Sequence, residues 1–167
     1  MESRLLRVYA DTSVFGGVLD SEFARASQRL FELIRHRRLI LVTSALVEEE
    51  LKAAPRAVQE LFERVGPNAE VVPIGADALR LRGAYVQAGI VTRKSAADAL
   101  HVALATVGAC PVLVSWNCRH IVNFRRIPRY NAVNRLHGYP EVAIHTPHEV
   151  VGDEGETIRL RGDETRG

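Results

Sequence analysis

Residues 39–51 read LILVTSALVEEEL, and the change of period inside this stretch decides the fold class. Leu39 to Thr43 form a short, continuous apolar and β-branched run, the pattern of a strand buried on both faces. Ser44 then offers an N-cap hydroxyl, and Leu46, Val47 and Leu51 recur at helical spacing around Glu48, Glu49 and Glu50. A buried strand that passes directly into a capped helix is one β–α unit, and a series of such units builds a parallel sheet covered by helices.

The same alternation continues in both directions. Upstream, LLRVYA (5–10) reads as a buried strand ending at Asp11-Thr12-Ser13, and Phe23, Ala26, Leu30, Phe31, Leu33 and Ile34 then repeat with the period of a helix. Downstream, Pro55 suits the first turn of a helix running to Val65, and Gly66-Pro67-Asn68 ends it. VVPI (71–74) is expected as an edge strand, because Pro73 cannot donate to a ladder. A helix over 76–88 closes at Gly89, and Ser95 opens SAADALHVALATVGA (95–109), whose small residues permit close packing and whose Gly108 lies near its end. VLVSW (112–116) is a strand with a short helix expected after it through Asn123, and EVAIH (141–145) is the last strand. Thr146-Pro147-His148-Glu149 has the form of a capping box. The expected architecture is α/β, a three-layer α/β/α sandwich around a central, mainly parallel sheet, with one domain over 1–150. Residues 151–167 are rich in Gly and charge and are expected as a flexible tail.

Composition narrows the function classes. The 167 residues carry a net charge of +2, so any contact with nucleic acid has to come from a local patch. Of 22 basic residues only Lys52 and Lys94 are lysine, an arginine excess suited to bidentate phosphate contacts that genomic base composition also produces. No run approaches the length of a membrane span and no basic segment precedes a long apolar one, so a cytoplasmic location away from the membrane is expected. Cys110 and Cys118 lack metal-ligand spacing, which leaves reduced thiols.

In an open parallel sheet the ligand crevice lies beyond the carboxyl ends of the strands. Asp11 follows the first strand, Asn117 follows the fourth, Glu50 lies two turns into a helix, and Asp98 lies in the first turn of another. Three acids from distant segments suit the binding of hard divalent cations such as Mg²⁺ or Mn²⁺, which stabilise the charge that develops during phosphodiester hydrolysis. Each acid also has an ordinary structural reading: a turn for Asp11, a solvated face for Glu50, and a helix N-terminal pair with Ser95 for Asp98. His101 shares the helix face of Asp98, where it can touch RNA, orient a carboxylate or simply sit half-buried, and His120 is equally ambiguous. A phosphatase using an aspartate nucleophile would need a second aspartate where Ser13 stands, and a dinucleotide-binding fold would need glycines where Asp11-Thr12-Ser13 stands.

The order and setting of the acids carry a family resemblance. VYADTSVF, TSALVEEEL and SAADALHVALA resemble the first, second and third acidic sites of PIN-domain nucleases, over about residues 7–150. SWNCRHIVNFRRI and YNAVNRLHGYP resemble a subgroup similar to VapC toxins, with Asn117 where the family often has aspartate. The resemblance implies a metal-dependent endoribonuclease, the toxin of a toxin–antitoxin pair, acting as a homodimer held by an antitoxin. It places Asp11, Glu50 and Asp98 on the metal-binding acids, Glu50 being chosen because it precedes Leu51 and lies six residues after Ser44. Asn117 would position water or phosphate, with Thr12, Ser13, Arg93, Lys94 and Arg119 near the RNA. Arg125, Arg126 and Arg129 are further candidates for backbone contacts, and Trp116 for stacking on a base. The alternative is a catalytically weak PIN-like module that binds RNA or a partner.

Overall fold

The computed structural model describes residues 4–152. Five strands, β1 (Leu6–Ala10), β2 (Leu39–Ser44), β3 (Glu70–Val72), β4 (Val112–Val114) and β5 (Ala143–His145), form one sheet in the order β3-β2-β1-β4-β5. Every pairing is parallel. The helices are α1 (Thr12–Gly16), α2 (Ala24–Arg35), α3 (Ala45–Leu51), α4 (Arg56–Val65), α5 (Ala76–Gln87), α6 (Ala96–Val107), α7 (Ile127–Leu136) and α8 (Pro147–Val151). One layer groups α5 with α6 and α7, and the other groups α2 with α4 and α8, with α1 touching α4. This is the expected three-layer α/β/α sandwich, and the sheet is wholly parallel.

Burial explains why the strands read as unbroken apolar runs. Val8, Tyr9, Ala10, Leu41, Val42, Leu113 and Val114 are all inaccessible or nearly so, as the covered faces of a parallel sheet require. Glu70–Val72 is the edge strand expected around residues 71–74, and Pro73 falls just outside the ladder. Arg7 ties the start of β1 to its surroundings: its guanidinium donates to the Gly108 and Ala109 carbonyls after α6 and to Glu70 on β3.

Several local expectations need correction. The segment expected as a short helix through Asn123 is a series of turns, in which the Asn117 and Asn123 side-chain oxygens accept backbone N–H groups of His120, Arg125 and Arg126. The helix begins later, at Ile127, with a proline in its first turn. Asn131 and Asn134 occupy its buried side, and both are satisfied there, Asn131 by the Val142 backbone and Asn134 by Thr106 and Tyr85. Ser95 makes no capping bond, because residues 93–95 form a 3-10 turn that leads into α6. The left-handed residue closing α6 is Ala109 (φ 52°), after Gly108, whereas Gly89 (φ 73°) closes α5 as expected. The capping box at Thr146 is incomplete, since the Thr146 hydroxyl caps no backbone N–H, while Glu149 bonds both Thr146 and, at 2.6 Å, His145 Nδ1. Both cysteines are free, Cys110 buried and Cys118 exposed. Val151 is buried in α8, and the expected tail from 153 onward lies outside the described residues. Among the described residues no helix is long and apolar enough to cross a membrane.

Candidate active site

The strand order reverses direction at β1. Sequence neighbours β2 and β3 lie on one side of it and β4 and β5 on the other, so the crevice between the carboxyl ends of β1 and β4 is the topological switch point. The register pairs Ala10 with Val114, and the next residue on each strand is Asp11 and Ser115. Ser115 Oγ donates to Asp11 Oδ2 at 2.6 Å across that gap, and Ser13 Oγ donates to Asp11 Oδ1 at 2.5 Å from the first turn of α1. Asp11 is only 3% exposed, and its side-chain partners are hydroxyls. Burial pushes its pKa above the ordinary carboxylate value, while the nearby His101 and the two serine hydroxyls pull it back.

Beside Asp11 runs a second chain of contacts. Glu50, in the last turn of α3, accepts from His101 Nε2 at 2.6 Å, and His101 Nδ1 meets the hydroxyl of Tyr9 at 2.8 Å. Tyr9 Oη also bonds Ser44 Oγ at 2.8 Å, and Ser44 Oγ accepts the Val47 N–H as the N-cap of α3. His101 and Tyr9 are buried, and burial drives the Tyr9 hydroxyl far above its usual pKa. Asp98 is half-buried in the first turn of α6, one turn before His101, where its charge reaches Tyr130.

His101 therefore joins the two acids, bonding Glu50 and acting on Asp11 at the switch point, while Asp98 lies one turn before it on α6. Among the described residues no group of three or more Asp, Glu, His or Cys side chains is placed to hold a metal ion. The residues fit a looser mode: Mg²⁺ commonly takes one or two protein carboxylates and completes its octahedron with water and substrate phosphate. A buried carboxylate held by two hydroxyls, with a second acid 38% exposed on α3, supplies the oxygen donors that mode uses.

Other expected site residues separate into two groups. Ser13 accepts the Trp116 N–H while holding Asp11, so its hydroxyl is a structural tie. Trp116 is half-buried, stacks on Phe23 at 4.3 Å and donates Nε1–H to Ser27. Arg126 and Arg129 donate to the Ile90 and Ala88 carbonyls at the end of α5, a capping task. Asn117 uses its amide oxygen to accept the His120 N–H. Arg93, Lys94 and Arg119 are exposed around the N-terminus of α6 and the turn after β4. Thr12 Oγ1 and His120 Nδ1 are buried polar atoms that make no hydrogen bond to the described residues. Sequence reasoning missed Tyr9, Ser44 as a side-chain partner, and Ser115. The available signal for Ser115 was its position immediately after a parallel strand.

No family model matches the chain, and no curated protein matches it. Similar solved structures exist. The crystal structure of VapBC2 from Rickettsia felis bound to a DNA fragment from their promoter matches with a TM-score of 0.53 and 14% identity, over 84% of this chain and 98% of that one. FitAcB from Neisseria gonorrhoeae matches with a TM-score of 0.53 and 12% identity, over 84% of this chain and 97% of that one. A wholly parallel five-stranded sheet between two helical layers, matched over nearly the full length of both structures, gives this chain the three-layer α/β/α PIN-like fold.

Proposed function

We propose that this chain is a metal-dependent endoribonuclease acting at the switch point between β1 and β4, and the toxin member of a toxin–antitoxin pair. The observation that carries the reading is Asp11: a carboxylate buried at the carboxyl end of β1, held by the Ser13 and Ser115 hydroxyls, with Glu50 and Asp98 on α3 and α6. A buried carboxylate is costly even when hydrogen-bonded, and one retained at a crevice fits a cationic ligand.

Asp11 would hold a divalent cation directly, with Glu50 and Asp98 as further carboxylates. Mg²⁺ or Mn²⁺ bound there supplies charge neutralisation at the phosphodiester and activation of water. Arg93, Lys94 and Arg119 are placed to attract the RNA backbone. The amide oxygen of Asn117 is engaged by His120, which leaves its NH₂ group to donate to a phosphate oxygen. The toxin reading and an antitoxin partner are supported by the shared fold with VapBC2 and FitAcB and by the subgroup likeness of SWNCRHIVNFRRI. A homodimer and a cytoplasmic location belong to the same proposal.

Expression in a bacterial host tests it, with total RNA followed over time. Growth arrest with metal-dependent RNA cleavage, both relieved by co-expressing the protein of the adjacent gene, is the expected result. Intact RNA at full growth from a folded protein contradicts it. A second reading, a PIN-like module that binds RNA or a partner without cutting, is favoured by the open acid arrangement and the engaged Asn117. RNA binding without cleavage in either metal would select it.

A further inference from the structure

We propose that His101 is a positioning residue for Glu50, held in one tautomer by the buried Tyr9–Ser44 pair; this rests on the ribonuclease reading above. Glu50 as a carboxylate only accepts, so the 2.6 Å contact puts a proton on His101 Nε2. In the neutral imidazole Nδ1 is then an acceptor, so the Tyr9 hydroxyl donates to it at 2.8 Å. Tyr9 Oη in turn accepts from Ser44 Oγ at 2.8 Å, and Ser44 Oγ accepts the Val47 N–H. For the neutral imidazole each member then has one role, and the chain runs in a single direction from the cap of α3 to the carboxylate in its last turn.

The arrangement couples two acids to one strand. Asp11 directly follows β1 in extended conformation, two residues after Tyr9, so the two leave the strand toward the same side of the sheet. β1 places Asp11 directly and fixes Glu50 through Tyr9 and His101. Glu50 is 38% exposed on a short helix, while His101 is 4% exposed, so the buried partner orients the exposed one. Buried ring partners of this kind set the geometry of metal-ligating groups, and their loss typically weakens metal affinity or activity about 10- to 100-fold.

The test measures Mn²⁺ binding without RNA by electron paramagnetic resonance, kcat and KM for RNA cleavage, and the His101 tautomer by long-range ¹H–¹⁵N NMR. The set is the wild-type chain, His101→Leu, His101→Gln and Tyr9→Phe, each checked for folding by thermal denaturation. Expected are a wild-type proton on Nε2, weaker Mn²⁺ binding in His101→Leu by about 10- to 100-fold, and a fall in kcat larger than the change in KM. His101→Gln, whose amide can donate to Glu50, recovers part of both, and Tyr9→Phe lies between. Wild-type Mn²⁺ affinity and kcat in a folded His101→Leu overturn the inference, as does a proton on Nδ1. If His101→Leu does not fold, the Gln and Phe variants and the tautomer decide. A wild-type chain that cuts no RNA counts against the ribonuclease reading, while Mn²⁺ affinity and tautomer still judge the positioning role.

Discussion

Ser115 Oγ donates to Asp11 Oδ2 at 2.6 Å, joining the ends of two strands that are adjacent in space and 104 residues apart in sequence. Replacing Ser115 by Ala leaves one oxygen of a buried carboxylate without its donor and removes the acceptor of the Asn117 N–H. The expected cost is about 1–3 kcal/mol, read by chemical denaturation, with Ser115→Thr recovering most of it. A loss below about 0.5 kcal/mol, the range of ordinary surface substitutions, would mean that the carboxylate finds another partner.

Asp11 gives the metal-free protein a defined pH dependence. Its folded pKa lies above the ordinary 3.8, so between those two values the native state holds more protons than the unfolded chain. Stability therefore falls as pH rises from about the ordinary carboxylate value through the folded one. Asp11→Asn removes that slope and is expected to stabilise the metal-free protein at neutral pH by on the order of 1 kcal/mol. Saturating Mn²⁺ should raise the melting temperature of the wild type and leave the variant unmoved. Melting curves across pH, with and without Mn²⁺, check both statements.

Ala109 closes α6 in the left-handed region, at φ 52°, while the Cys110 N–H bonds the Ala105 carbonyl. A Cβ in that conformation costs roughly 1–2 kcal/mol, so Ala109→Gly is expected to stabilise the fold by up to about 1 kcal/mol after the added freedom of the unfolded chain is offset. Thermal denaturation decides the sign. Destabilisation would show that the Ala109 methyl packs well enough to outweigh its backbone conformation.

Trp116 lies between Phe23 and His148 and donates to Ser27, and Gly17 approaches so closely that an added Cβ would lie 2.6 Å from the indole nitrogen. Trp116→Ala is expected to destabilise by about 3 kcal/mol through cavity formation, and Gly17→Ala to destabilise through the clash. Wild-type KM for RNA in a stabilised background carrying Trp116→Ala is the accompanying expectation. A KM raised tenfold without loss of stability would return the indole to the RNA surface.

The β–α alternation was legible because a strand buried on both faces has no polar alternation to obscure it, as at Leu39 to Thr43. α7 was not legible for the opposite reason: Asn131 and Asn134 occupy its buried side, so its apolar period is broken, and Pro128 was the remaining cue to its start. Asp11 was legible as the residue after β1. Ser115 required knowing that β4, distant in sequence, lies beside β1, and the Tyr9–His101–Glu50 contacts required the packing of α3 and α6 near that strand. Trp116, Arg126 and Arg129 were read toward RNA because their types suit it, and the hydrogen bonds they make within the fold to Ser27, Ile90 and Ala88 were not legible without the packing.

The most direct test is single-turnover cleavage of an end-labelled RNA across a Mn²⁺ titration, comparing the wild-type chain with folded Asp11→Asn. The site described here predicts cleavage that depends on Mn²⁺ and disappears with EDTA, and a fall of at least about 100-fold in the variant, as expected when a charge acting on the transition state is removed. Equal cleavage by Asp11→Asn, or cleavage indifferent to EDTA, would contradict a metal-dependent nuclease site at the β1–β4 switch point.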